Sequence, residues 1–152
     1  VPSPALIGGQ DQTVNKPEQI EPTVEVEHFD VLIVGAGISG IGAAWHLSKQ
    51  LPDRTFLVLD AQECYGGTWR THRFPGIRSD SDLYTFGYAF KPWTGAPIAS
   101  AEEILRYLGE VIEENGLAPL IRYRHTIVSA RWSGRDSQWT VDAVRTDTNQ
   151  PL

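Results

Sequence analysis

The densest chemical signal in the chain is six residues long. Gly35-Ala36-Gly37-Ile38-Ser39-Gly40 reads G-x-G-x-x-G, and Asp60 stands 20 residues beyond the last glycine. That spacing suits the grip of a dinucleotide. Gly35 permits a tight turn out of a strand. Gly37 has no side chain, so the backbone can approach a pyrophosphate. Gly40 lets a helix pack closely on the strand before it. The first N–H groups of that helix, and its dipole, face the ligand's negative charge. Ser39 adds a hydroxyl donor. Asp60 is expected to accept hydrogen bonds from ribose hydroxyls and to repel a 2′-phosphate, so the site suits FAD or NAD and not NADP. The alternative is a glycine-rich turn of a doubly wound protein that binds no dinucleotide.

These residues need a strand, a helix and a strand to position them. Phe29 to Val34 is a short β-branched run ending in glycine, and predicts a strand buried on both faces of a parallel sheet. Ile38 to Gln50 predicts a helix with Ile41, Ala44, Trp45 and Leu47 toward the core and Pro52 beyond its end. Thr55 to Asp60 predicts a second buried strand, completing a βαβ unit. Ser100 and Glu103 form a capping box, followed by Ile104, Leu105, Leu108, Val111 and Ile112 at helical spacing. Asn115-Gly116 stops that helix. Ile121 to Trp132 and Gln138 to Val144 predict two strands around the turn Gly134-Arg135-Asp136-Ser137. Trp132 and Trp139 are expected as core or cross-strand contacts. The expected fold is α/β: a Rossmann-like βαβ parallel sheet with an antiparallel hairpin.

Residues 61–99 have no sustained period, yet they are rich in glycine and aromatics, which marks a functional loop. Within it, Gly66-Gly67-Thr68-Trp69 allows a second close backbone approach, and Trp69 offers a flat face with one N–H donor. Arg78 and Asp80 are spaced for an ion pair, either beside a bound group or as a plain loop salt bridge.

The run Gly66-Gly67-Thr68-Trp69, then Arg73-Phe74-Pro75-Gly76-Ile77-Arg78-Ser79-Asp80, resembles the FAD domain of class B flavoprotein monooxygenases. Within that class it is most similar to the Baeyer–Villiger monooxygenases. The stretches Ile77 to Thr85 and Lys91 to Gly95 resemble the ethionamide-activating type, and the likeness covers about residues 29–145. The resemblance implies that Gly35, Gly37, Ser39 and Gly40 hold the FAD pyrophosphate and Asp60 the adenosine ribose. The family more often has Glu at the Asp60 position. It further implies that Gly67, Thr68, Trp69, Arg70 and Thr71 line the flavin side. Asp80 would sit near the isoalloxazine as the candidate catalytic residue. Arg78, Ser79 and Asp80 would border the nicotinamide of NADPH, and the Ile127 backbone would meet the adenine. The implied activity is an FAD- and NADPH-dependent oxygenation of a ketone or sulfide by O2 through a flavin peroxide. Two other readings stand beside it: a non-catalytic, truncated FAD-binding module, and another flavin oxidoreductase such as an amine oxidase.

The second dinucleotide fingerprint, for NADPH, and the F-x-G-x-x-x-H-x-x-x-W fingerprint are not found. The chain is therefore expected to be an amino-terminal piece: a mobile acidic extension over 1–28, then part of an FAD-binding domain over 29–152. Residues 1–28 hold four prolines and one lysine against five acidic residues. The net charge of −6 argues against a nucleic-acid partner. The most apolar stretch, Val31 to Trp45, is 15 residues long with four glycines, short of the roughly 20 that a membrane span needs. The single cysteine, Cys64, excludes an intrachain disulfide and fits a reducing, cytoplasmic compartment. His28, His46, His72 and His125 show no metal-ligand spacing.

Overall fold

The computed structural model describes residues 26–148. The extension expected over 1–28 therefore lies outside the described residues as far as residue 25. Residues 26–28 carry no regular structure, and Glu27 grips the Arg122 guanidinium through both carboxylate oxygens, at 2.5 and 2.8 Å.

Three parallel strands form the platform: β1 (Val31–Val34), β2 (Phe56–Leu59) and β3 (Ile121–Arg122), in the order β1-β2-β3. Between β1 and β2 runs α1 (Ile38–Gln50), as the sequence predicts. The register pairs Val31 with Phe56 and Val34 with Leu59. β2 lies between two neighbours, and all four of its residues are buried. The expectation that β1 is likewise buried is corrected. Among the described residues β1 lies at one edge of the sheet, its first three residues are half-buried, and Val34 is 68% exposed.

The long loop contains two single helical turns, α2 (Thr68–Thr71) and α3 (Leu83–Phe86). The capping box then opens α4 (Ala101–Glu114): Ser100 accepts from the Glu103 N–H while the Glu103 carboxylate accepts from the Ser100 N–H. Its end is a Schellman arrangement, Leu117 N–H to Ile112 C=O at 2.9 Å and Gly116 N–H to Glu113 C=O at 3.2 Å. Leu117 is thereby fully buried beneath the last turn.

The strand predicted over Ile121 to Trp132 is in fact two, in different sheets. β3 ends at Arg122, Arg124 adopts a φ of 62°, and β4 (His125–Ser133) then pairs antiparallel with β5 (Gln138–Arg145). The cause is the end of β2. The Asp60 N–H donates to Arg122 C=O and the Asp60 C=O accepts from the His125 N–H, so the chain must turn between those two bonds. Trp132 and Trp139 face each other across the hairpin with ring centroids 5.6 Å apart. They are 54% and 60% exposed, so the cross-strand expectation holds and the core one does not.

Candidate functional site

The site sits where β1 hands over to α1. The Gly35 N–H donates to Leu59 C=O at 2.7 Å, and Gly35 turns with a φ of 100°, a conformation that favours glycine. A Cβ on Gly40 would lie 1.8 Å from the Gly35 carbonyl oxygen, so glycine there is required for helix and strand to pack. Gly37 is different. Its φ is −80°, and a Cβ there would make only ordinary contact, 3.6 Å from Gly67 Cα. Neither backbone nor packing demands a glycine at 37, so its bareness leaves open the space before the helix N-terminus. The first intrahelical bond is from the Ile41 N–H to Gly37 C=O. The N–H groups of Ile38, Ser39 and Gly40 therefore precede it, and no acidic residue stands in the first turn. Ser39 is exposed beside them. This geometry fits an anionic pyrophosphate.

Asp60 is 8% exposed. Its Oδ2 accepts from the Ala36 N–H at 2.6 Å and its Oδ1 from the Gln62 N–H at 2.7 Å. Sequence reasoning assigned this carboxylate to a ribose; the structure gives each oxygen a backbone amide.

The second glycine pair closes on the first. Gly66 N–H donates to Ala36 C=O at 3.0 Å, and a Cβ on Gly67, whose φ is 52°, would lie 3.1 Å from Gly37 Cα. The two bare backbones thus touch, bringing Gly35, Gly37, Ser39, Gly40, Asp60 and Gly67 together. Thr68 is exposed at the start of α2, and the Thr71 hydroxyl donates to Gly67 C=O. Trp69 is half-buried, edge-on to Phe86 at 6.1 Å. Arg70 turns away: Nε donates to Tyr65 C=O at 3.2 Å, one Nη lies 3.5 Å from Cys64 Sγ, and the guanidinium caps the Tyr65 ring. Cys64 is half-buried at that contact.

Arg78, Ser79 and Asp80 are joined by backbone to the start of α4 through the bridge between Arg78 and Ser100. Arg78 and Asp80 are exposed, and among the described residues they form no ion pair with each other. Ser79 between them is 4% exposed, and its Oγ accepts from the Ala99 N–H at 3.1 Å. The intervening side chain is thus spent on holding the loop to residue 99. The Ile127 side chain, on β4, is half-buried against Leu57, Leu59 and Ala143.

Tyr88 is the residue that sequence reasoning missed. Its hydroxyl donates to Ile38 C=O on the first turn of α1, and its ring fills the place of a side chain on Gly42, where a Cβ would come within 2.9 Å. Burial, reinforced by Tyr107, pushes the Tyr88 phenol well above its ordinary pKa, so it stays a donor. The available signal was Gly42 itself, since a glycine inside a helix asks for a packing reason. Among the described residues no cluster of His, Cys, Asp and Glu is built to hold a metal, and no helix is long and apolar enough to cross a membrane.

A family model described as NAD(P)-binding Rossmann-like domain matches residues 33–108. The FAD-containing monooxygenase EthA of Mycolicibacterium smegmatis is 47% identical over 125 residues, which is 82% of this chain and 25% of that protein. Among solved structures, an oxidized steroid monooxygenase bound to NADP superposes with a TM-score of 0.71 at 31% identity, covering 81% of this chain and 24% of the other. A cyclohexanone-bound cyclohexanone monooxygenase gives 0.70 at 27% identity, covering 76% and 24%. The chain spans about a quarter of the length of the curated relatives it matches.

Proposed function

The chain belongs to the NAD(P)-binding Rossmann-like domain family, and from that premise we propose that residues 29–152 form the amino-terminal FAD-binding portion of an FAD- and NADPH-dependent monooxygenase. The observation that carries the reading is the bare Gly37 in front of three helix-terminal amides, a space that neither backbone strain nor packing explains. The monooxygenase relatives favour this reading over an amine oxidase. When bound, FAD supplies the redox chemistry, taking electrons from NADPH and delivering oxygen from O2 to an organic substrate. This chain's own residues bind and orient. The amides of Ile38, Ser39 and Gly40 receive the pyrophosphate, the Ser39 hydroxyl adds a donor, and Gly35 and Gly40 hold the turn in shape. Gly67, Thr68, Trp69 and Thr71 line the flavin side, Arg70 stiffens that loop through Tyr65, and Asp80 is exposed toward the reacting end. Arg78 and Ser79 border the nicotinamide, and the Ile127 backbone lies toward the adenine.

A ketone or sulfide is the proposed substrate class, supported for the ketone by the cyclohexanone-bound neighbour. The reading includes a cytoplasmic location, in keeping with a single cysteine. The 152-residue chain alone is not expected to turn over, because it carries one dinucleotide fingerprint where two cofactors are needed.

The test is FAD titration of the chain, followed by flavin absorbance and fluorescence, with Gly37→Val alongside. Binding by the wild-type chain and none by the variant are expected. A variant that keeps normal flavin binding overturns the assignment. The activity is tested on the longer protein that contains this chain: NADPH and O2 consumption should be matched by ester or lactone formed from a ketone, and consumption with no oxygenated product overturns it.

A further inference from the structure

We propose that Tyr88 is a positioning residue for the pyrophosphate: its hydroxyl, anchored among aromatic side chains of the long loop and α4, holds the peptide between Ile38 and Ser39 so that the Ser39 N–H is aimed at the phosphate oxygens. The inference rests on the FAD-binding reading and deepens it.

Four observations carry it. The Tyr88 hydroxyl donates to Ile38 C=O, which belongs to the same peptide unit as the Ser39 N–H. That unit is planar and trans, so its C=O and N–H point in opposite directions, and fixing one fixes the other. The Ser39 N–H is one of the three amides ahead of the first intrahelical bond, from the Ile41 N–H to Gly37 C=O. The Tyr88 ring also has a built seat on α1. A Cβ on Gly42 would come within 2.9 Å of it, so a glycine in mid-helix, costly in backbone entropy, is what lets the ring lie there. Tyr88 is held from outside the turn as well. Its N–H donates to the Tyr107 oxygen at 2.8 Å, and the Tyr107 hydroxyl donates to Lys91 C=O at 2.6 Å. Tyr107 lies on α4 and is 4% exposed. Finally, the Tyr88 ring stacks on Phe90, 12° from parallel, and Phe90 stacks on Trp45 of α1, 7° from parallel. The loop thus grips α1 at its first turn and again at Trp45, about two turns further on.

The hydroxyl contributes separately from the packing. A donor on a peptide carbonyl polarises the amide and strengthens the N–H at its other end. Phenylalanine keeps the ring, its stacking and its seat on Gly42, and loses this donor alone.

The first measurement uses the ligand-free chain and does not depend on FAD. In Tyr88→Phe the NMR resonances of the Ile38 carbonyl carbon and the Ser39 amide nitrogen should move, while those of Val58 stay. Unchanged resonances at Ile38 and Ser39 overturn the proposal. The second is the FAD dissociation constant, measured well below the melting temperatures, where a residue that merely stabilises the fold has no effect. It should rise about fivefold in Tyr88→Phe, the factor carried by one hydrogen bond. It should not change in Leu108→Ala, which empties buried volume on α4 and keeps the hydroxyl. No rise in Tyr88→Phe, or an equal rise in both variants, overturns the proposal. The third titrates inorganic pyrophosphate and adenosine directly, followed at the amide resonances. In Tyr88→Phe the pyrophosphate constant should rise by the same factor and the adenosine constant should not; a rise confined to adenosine, or shared equally, overturns it. Should Tyr88→Phe not fold, Gly42→Ala decides. Its methyl pushes the ring off its seat while raising helix propensity, so weaker FAD binding than wild type is expected, and equal or tighter binding overturns the proposal. A wild-type chain that binds pyrophosphate but not FAD sinks the proposed function, and the pyrophosphate constants then judge Tyr88; a chain that binds neither overturns both.

Discussion

The two faces of the parallel sheet are built from alternate residues of the same strand and differ in closure. Phe56 and Val58 of β2 point to the helices, Leu57 and Leu59 to the hairpin. On the helical side Ile41, Ile104, Leu108, Val111 and Leu117 are fully buried. An aromatic stack seals that side: Trp45 on Phe90 at 3.7 Å, Phe90 on Tyr88 at 4.7 Å, Tyr88 on Tyr107 at 5.7 Å. On the hairpin side Leu32 and Ile127 are half-buried, and a groove of about 780 Å³ runs on past Val34, Trp132 and Trp139. The glycine turns belong to the closed side. Tyr88 carries the rigidity of the aromatic stack to the first turn of α1 through its bond to Ile38. The hairpin meets the end of β2 through the His125 N–H on Asp60 C=O and through Ile127 against Leu59. A dinucleotide cradle needs its amides fixed before the ligand arrives, and the close-packed face supplies that.

The sharpest way to break this comparison is a matched pair of truncations. Leu108→Ala, in the closed core, should lower the unfolding free energy by about 3 kcal/mol, whereas Ile127→Ala, beside the open groove, should cost about 1 kcal/mol. Urea denaturation of both variants measures it, and equal losses would mean that the two faces are equally closed.

A smaller effect tests the link from stack to turn. Tyr88→Phe removes the donor to Ile38 and should cost about 1 kcal/mol near neutral pH. The same group predicts a pH dependence. Burial raises the folded-state pKa of Tyr88 above its ordinary value of 10.0, so the fold favours the protonated phenol. That contribution is fully present below pH 10 and is lost as pH rises through the raised value. Tyr107 is shifted the same way by burial, and burial with Cys64 and Tyr65 pushes Tyr123 up to about 12. Stability should therefore be flat to about pH 10 and then fall, less steeply in Tyr88→Phe. An alkaline limb identical in the variant would remove Tyr88 from the account.

The smallest effect lies at the far end of the hairpin. Trp132→Ala deletes one cross-strand ring contact on a surface already more than half exposed, and should change stability by less than about 1 kcal/mol. A larger loss would show that the hairpin end is part of the core.

Much of this arrangement was legible in the chain. The bounds of α1, the capping box of α4, the stop at Asn115-Gly116 and the hairpin turn all matched. The distinct reasons for Gly35 and Gly40 matched as well. The misses share a trait. Whether β1 was central or an edge, where Ile121 to Trp132 broke, how far Trp132 was exposed and whether Arg78 met Asp80 depended on neighbours remote in sequence. The candidate site divides in the same way. Its glycines announced themselves by spacing. The amide partners of Asp60, the inward turn of Ser79 and the reach of Tyr88 across 50 residues did not.

The physical reason is range. Caps, turns, helical periodicity and the steric demand of a glycine turn are settled within a few residues, so the amino-acid order determined by itself that a strand, a bare turn and a helix would form at Phe29 to Gln50. A carboxylate such as that of Asp60 takes whichever donor packing brings nearest, and close packing is a property of the assembled molecule. That the donor is the Ala36 amide, and that Gly66 grips the same peptide from the other side, only the tertiary structure decided.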